Sequence, residues 1–567
     1  MLSFTNMRKC YHLLFLGRSR GQSISTNRWA QGIGFIRSHH LRHHPQSPPP
    51  PASQDGPLLF SSFNVSRNRY YVGSTTSHNY SRATFSNLNL NHHHAQLSTL
   101  HTLELANHMA DNPLDYKVTV KDSEFISAAH APTHEFWIPL SNLDLLLPPL
   151  TAGVFFCYKK NDDSSAMSTE TVVKTLKKSL ASVLSTFYPL AGEIVPNRLG
   201  EPEVLCNNNG VEFIHAHADV DLQNLDLHHP DETVKGKLVP KLNRGVISVQ
   251  VTELNCGAII LSVAFDHRLT DAQSCNVFLA AWADIAQFNK ISTIPSFRSS
   301  ILSPRRPPCH DTTFGDMYIP ISSIPPPPSS YEDILFSRIY YISVESINRL
   351  QLQASTKETR RSKLQSFTAY IWKLLAEEGD DDVNKTSRVG VIVSGRNLLT
   401  GNSKEEASLL KNHYGNILSI PYGKEKNHHL HEMTLHEVAN KVHEFVNKTA
   451  NEEHFRGLVD WVELHRPEPG VARVYFKLQE NDGDAIVVSS GQGLPIKNMQ
   501  FGWGEPKFGS YHFPWGGVTG YITTMPSAKN NGDWVLYVHL KQEHLDLINS
   551  KASHIFKPLT NSYLDIR

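Results

Sequence analysis

Cysteine is scarce in this chain: six in 567 residues, scattered, with no CxxC pair. That excludes a disulfide-stapled scaffold and a thiolate zinc site of ordinary spacing, and it leaves the cysteines as small apolar residues of a reducing compartment. No apolar run approaches the ~18 residues that a membrane-spanning helix needs. The one GxSxG match, Gly17–Gly21 in "GRSRG", precedes any strand-like run, and no GxSxG elbow follows in residues 116–567, so the α/β-hydrolase nucleophile is absent there. "GQGLPI" and "GWGEPKFG" match neither the phosphate loop nor the dinucleotide fingerprint. In "HEMTLH", His431 and His436 stand five apart, which a helix does not place on one face, so this is not an HExxH zinc site. Net charge is also missing, with 54 basic residues against 54 acidic. The balance is uneven, however. Residues 1–110 hold ten Lys and Arg but only Asp55 and Glu104 as acids, which leaves about −8 on residues 111–567. A mildly acidic body is not built to grip nucleic acid.

The acid-poor N-terminus is rich in Ser, Asn, His and Arg, contains "SPPPPAS" and shows no sustained periodicity. Residues 1–115 therefore read as an extension that packs no core. The composition fits an organellar transit segment and a plain unstructured extension equally. Its His tracts "HLRHHP" and "NHHHAQ" are solvated runs rather than a designed metal site.

Over the whole chain, 40% hydrophobic and 19% charged residues give an ordinary globular balance. At about 150 residues per domain, 567 residues are too many for one simple core. "YKVTVKDSEFI" alternates like a strand from Tyr116. Val172, Val173, Leu176, Leu180, Val183, Leu184 and Phe187 recur at helical spacing, and Pro189 ends the run. "GVISVQVTELNCGAIILSVAF" predicts a hairpin across "NCG". A proline-rich passage, residues 304–334, separates 116–303 from 335–567. Strands and helices alternate again in the second part, in "ILFSRIYYISV", "SKLQSFTAYIWKLLAEEG", "SRVGVIVSG", "LHEVANKVHEFVNKTA", "GDAIVVSSG" and "DWVLYVHLKQEHLDLINS". The fold class is α/β, in two parts.

"VAFDHRLTDAQSCNVFLAAWADIA" places Asp266, His267, Arg268 and Asp271 between a buried strand and a buried helix. Such a corner lies at the carboxyl end of a sheet, where α/β folds bind ligands. An imidazole there, with an ordinary pKa of about 6.5, is a usable proton acceptor. The same histidine could also be a satisfied polar residue at a strand end. Asp271, at the helix start, suits capping of backbone N–H groups rather than proton transfer.

"HRLTD" (His267–Asp271) and "FGWG" (Phe501–Gly504) resemble the HxxxD and DFGWG signatures of the plant BAHD acyl-CoA-dependent acyltransferases. "FYPLAGEI", "SKLQSFTAYIWK", "NHYGNILS" and "DWVELHRP" resemble further family blocks in the family's order, so the likeness covers roughly 116–567. "IPLSNLDLLLPPL", "GVFFCYKK", "RRPP" and "FGSYHFPWGGVTGY" are most similar to the family's coniferyl alcohol acyltransferases. The shikimate hydroxycinnamoyltransferases are more distant.

The resemblance implies two chloramphenicol-acetyltransferase-like domains, each a mixed sheet with flanking helices, and a channel at their interface. His267 would be the catalytic base. Asp271, Phe501, Gly502, Trp503 and Gly504 would structure loops. Tyr414 and Asn416 are candidates for the channel wall. The implied reaction moves an acyl group from a CoA thioester to a phenylpropanoid-type alcohol. Acyl-CoA would serve as co-substrate, with no metal and no other cofactor. A cytoplasmic monomer is implied, while the N-terminus leaves organellar import open. The alternatives are a non-catalytic relative acting as a binding or regulatory protein, a shikimate or quinate transferase, and an amine acyltransferase.

Four positions depart from the family pattern. Gln500 stands where the Asp before FGWG is usual, and Ser394 begins the usual DGR, leaving Arg396 without an evident acidic partner. Ala272 replaces a Gly after the motif Asp. Near Gly491, where shikimate-type members carry a Trp that reaches the oxyanion, Ser489 or Ser490 is offered instead, which argues against shikimate as acceptor.

Overall fold

Two mixed sheets carry the chain. The computed structural model describes residues 115–160, 167–324, 334–376, 385–401, 403–479 and 482–566. The transit-like extension expected at 1–115 lies almost wholly outside them, as does part of the proline-rich passage at 325–333.

The N-terminal sheet contains β1 (Val118–Ile126), β2 (Thr151–Tyr158), β3 (Val211–Ala218), β4 (Ile247–Leu254) and β5 (Ile259–Asp266). β4 and β5 are the hairpin expected around "NCG", antiparallel in register from Ile247 opposite Phe265. β5 is buried along its whole length and pairs with β2 as far as Asp266 opposite Thr151. Helices α1 (Thr169–Leu184) and α2 (Ala272–Phe288) pack together, and Trp282 Nε1 donates to Ser179 Oγ at 2.9 Å. The α1 seam is the apolar stripe that the spacing predicted, and Ser168 caps its start by accepting from the Thr171 N–H.

The C-terminal sheet contains β6 (Leu335–Ile342), β7 (Thr386–Val391), β8 (Tyr422–Lys426), β9 (Asp482–Ser490), β11 (Gly520–Pro526), β12 (Trp534–Lys541) and β13 (Lys557–Pro558), in the order β8-β7-β9-β11-β12-β6-β13. The pairings β7–β9 and β9–β11 are parallel and the rest antiparallel. Helices α3 (Val344–Gln353), α4 (Lys363–Leu375) and α5 (Leu435–Thr449) cover one face, over a core that includes Trp372 and Phe367.

One strand breaks the plan of two separate halves. β10 (Phe508–His512), coded deep in the C-terminal part, pairs antiparallel with β2 and completes the N-terminal sheet in the order β1-β3-β4-β5-β2-β10. "FGSYH" is short and buried at every position, so no alternation announces which sheet it joins. The larger apolar core likewise draws on both parts of the chain, from Phe155 and Phe278 to Phe455 and Val474.

Candidate active site

β5 ends with its pairing intact, and the next residue begins the corner. The N–H of His267 donates to the Leu150 carbonyl at 2.8 Å, one step past the last strand pair. Arg268 folds back: its N–H and guanidinium both reach the Asp266 carboxylate, the closest contact being 2.6 Å. Asp271 caps α2 by accepting from the Ser274 N–H at 2.8 Å. Of the four ionisable side chains at this corner, those of Asp266, Arg268 and Asp271 are thus engaged with protein. The fourth, His267, is partly exposed and lines a cavity.

That cavity measures about 910 Å³ including its open mouth. Leu146, Leu150, Ile392, Leu418 and Ile420 form its aliphatic wall, and Tyr318, Tyr475, Phe513, Trp515 and Tyr521 its aromatic one. The remaining polar side chain in the lining is Asn416. No Lys, Arg, Asp or Glu appears there among the described residues. Phe513, the residue after β10, sets its ring 5.9 Å from the His267 ring and 5.2 Å from that of Tyr521.

Asp271 does more than cap. Its carboxylate takes two hydrogen bonds from Arg396, at 2.6 and 3.0 Å, with both side chains almost wholly buried. Arg396 also donates to the Gly415 carbonyl at 2.5 Å and to Ser274 Oγ at 3.1 Å. The acidic partner that the sequence left unassigned for Arg396 is therefore the motif Asp itself, across 125 residues. The pair ties the helix that follows His267 to the second part of the chain. A planar fork suits a carboxylate at this geometry better than an ammonium would.

The other expected residues divide. Asn416 lines the cavity, whereas Tyr414 does not. The Tyr414 ring is buried against Phe187 and Phe297, and its hydroxyl meets Thr270 Oγ1 at 3.3 Å. Burial pushes its phenol well above the usual range. Ser489 and Ser490 end β9 outside the cavity lining. Ser489 pairs across the sheet with Thr523, two residues from Tyr521, which does line the cavity. Phe501 stacks on Trp503 at 5.3 Å and edges onto Trp282 at 5.1 Å, while Trp503 meets Tyr158 at 5.8 Å. With Gly502 and Gly504 at φ of 103° and 117°, which favour glycine, these aromatics turn the chain into β10. None of Phe501, Gly502, Trp503 and Gly504 lines the cavity. In this same loop Gln500 donates to the Lys497 carbonyl at 3.1 Å and to Glu505 at 2.9 Å, so a neutral amide closes the turn.

Asp144 went unnoticed in the sequence. An acid inside "LSNLDLLLPPL", preceded by Ser three residues earlier, is the signal that marks it, since carboxylates are seldom buried without partners. Burial lifts its pKa to about 6 against four hydrogen-bond donors.

Among the described residues, Asp484, Glu543 and His544 cluster closely enough to suggest a metal, but Lys477 and Lys541 already pair with Asp484, at 3.2 and 2.9 Å. No described helix is long and apolar enough to cross a membrane.

A profile of the Transferase family matches residues 116–555. A hydroxycinnamoyltransferase of Narcissus pseudonarcissus is 24% identical over 445 residues, covering 76% of this chain and 97% of its own. An omega-hydroxypalmitate O-feruloyl transferase of Arabidopsis thaliana is 25% identical over 382 residues, covering 65% and 78%. The fold is that of vinorine synthase, with TM-score 0.57, 20% identity and coverage of 78% of this chain and 99% of the other. It is also that of F. graminearum TRI101 in complex with coenzyme A and T-2 mycotoxin, with TM-score 0.57, 13% identity and coverage of 74% and 99%. The matched span carries the HxxxD corner, the cavity and the FGWG turn, and the chain belongs to this transferase family, the BAHD acyl-CoA-dependent acyltransferases.

Proposed function

We propose that the protein moves an acyl group from a CoA thioester to the hydroxyl of a neutral, phenylpropanoid-type alcohol, with His267 as general base. One observation carries the reading: among the described residues that line the cavity, His267 supplies the one imidazole, the side chain type most often used to accept a proton from a reacting hydroxyl. The imidazole accepts the hydroxyl proton as the alcohol oxygen attacks the thioester carbonyl. The carbonyl electron pair moves onto oxygen, giving a tetrahedral oxyanion. Its collapse breaks the C–S bond, and the imidazolium returns the proton to the leaving thiolate. Ester and free CoA result, and no enzyme-bound acyl group is required. A positioned base of this kind contributes about 10²- to 10⁴-fold.

The wall chemistry supports the acceptor class. Aromatic faces suit a planar ring. An acceptor carrying a carboxylate, such as shikimate or quinate, would have to be desolvated with no described cation in the lining to meet it.

The test is release of free thiol from hydroxycinnamoyl-CoA or acetyl-CoA with coniferyl alcohol, shikimate and an aromatic amine as parallel acceptors. Expected are turnover with the neutral alcohol and a loss of 100-fold or more in His267→Ala, on the order of a lost general base. Turnover of His267→Ala within tenfold of wild type would remove the base assignment. A preference for shikimate would remove the acceptor assignment. A burst of thiol before any acceptor is added would contradict the absence of an acyl-enzyme.

A further inference from the structure

The proton-transfer scheme leaves one buried charge beside the site without a role. Asp144 begins a 3-10 turn, Asp144–Leu146, and is 3% exposed. Four donors converge on its carboxylate. The N–H and Oγ of Ser141 reach Oδ2 at 3.0 and 2.6 Å. The N–H and Nδ2 of Asn416 reach Oδ1 at 2.7 and 2.9 Å. That same Nδ2 donates to the carbonyls of His267 at 2.9 Å and Arg268 at 3.1 Å. One amide thus spans from a fixed anion to the two peptide groups that carry the base.

The imidazole has no such anchor of its own. His267 Nδ1 is buried and has no hydrogen-bond partner. In catalytic histidines a partner at the second ring nitrogen commonly fixes tautomer and aim. Here the aim has to come from the backbone beneath the ring and from packing against Phe513. The approach of Asn416 to Asp144 is itself permitted by Gly415, at φ 148°. A Cβ there would lie 2.8 Å from His413 Nε2 and 3.1 Å from Asp144 Oδ1.

We infer that Asp144 and Asn416 are positioning residues for the acyl transfer: the carboxylate orients the Asn416 amide, and the amide holds the peptide groups of His267 and Arg268 so that the imidazole faces the cavity. The inference rests on His267 being the base. It differs from a general stabilising role because the amide's second set of bonds goes to the catalytic corner and not to another part of the core.

The experiment compares Asn416→Ala, Asp144→Asn and His267→Ala in the full chain, by thiol release, thermal melting and hydrogen–deuterium exchange over residues 262–273. For Asn416→Ala the expected result is a fall in kcat of about 10- to 100-fold, the scale of an ångström-level misplacement. The KM for acyl-CoA stays within about twofold on the same grounds, since only orientation at the reacting centre changes. Exchange rises in the peptide that carries His267. Asp144→Asn keeps the shape but turns an amide donor towards Asn416, so it lowers kcat in the same sense; it carries the test if Asn416→Ala does not fold. A wild-type kcat in either folded variant overturns the inference, as does exchange that rises across the whole chain and not at the corner. If His267→Ala keeps its rate, the base assignment fails, and exchange at residues 262–273 still reads whether the amide holds the corner. If His267→Ala is inactive and Asn416→Ala is not, the positioning role alone falls.

Discussion

Removing one partner of the Asp271–Arg396 pair is the sharpest test of how the corner is held. The guanidinium makes two bonds to the carboxylate, and the side chains are 1% and 2% exposed. Breaking a buried pair from one side costs about 3–5 kcal/mol, because the remaining charge stays in a low-dielectric site. Arg396→Met leaves Asp271 with its cap bond to Ser274, which is worth about 1 kcal/mol. Asp271→Asn leaves Arg396 with the carbonyls of His413 and Gly415. Neither remnant neutralises the orphaned charge. The double variant removes both charges, so its loss should fall short of the sum of the single losses by about 2–3 kcal/mol. Size scaling gives a shift of roughly 1–2 °C in Tm per kcal/mol for a chain of this length, so each single variant should melt about 5 °C lower and the double variant near the singles. Differential scanning calorimetry on the four proteins at one pH and salt decides it. Strict additivity would show that the two side chains do not depend on each other, and the tie between corner and second half would have to be abandoned.

Three further outcomes are expected. Gln500→Asp, which restores the more usual family residue, should lower the melting temperature by about 1–2 °C rather than raise it, because a carboxylate would replace the amide that now donates to Glu505; an increase would show that the turn has another cationic partner. Phe513→Ala should lower kcat and raise the KM for an aromatic acceptor, since this ring separates His267 from Tyr521; unchanged steady-state constants would show that the acceptor binds elsewhere. Stability should fall as pH drops from about 6.5 to 4: burial holds His413 and His539 down to about 4 and His512 to about 3, so the unfolded chain binds protons that the fold does not. Each such imidazole contributes a slope of up to about 1.4 kcal/mol per pH unit in that window. Asp144, raised to about 6, acts the opposite way: its protonated form favours the fold below about 4, and that contribution is lost as pH rises through 6. Chemical-denaturation midpoints from pH 4 to 7 that stay flat would contradict the burial of these rings.

What could be read in the sequence was local. The α1 stripe, the β4–β5 hairpin and the cap at Asp271 each depend on residues within one or two turns, and each was legible from spacing. The corner that carries His267 was legible because strand, corner and helix are consecutive. What escaped depends on distant pairing. Arg396 meets Asp271 across 125 residues, and Asn416 meets Asp144 across 272. No periodicity encodes such a meeting. Tyr414 and Asn416 illustrate the limit: two residues apart in one block, one is packed away among Phe187 and Phe297 and the other lines the cavity. Which of two near neighbours faces the site is settled by the distant residues each one meets, Phe187 and Phe297 for Tyr414 and Asp144 for Asn416.

The strand contributed by Phe508–His512 has a consequence for biosynthesis. Its partner, Thr151–Tyr158, is almost wholly apolar and leaves the ribosome roughly 350 residues earlier, so at 5–20 residues per second that margin stays bare for about 20–70 s. During that interval the nascent chain carries an unpaired hydrophobic ribbon open to self-association. A truncated product ending before residue 508 would carry that open edge permanently.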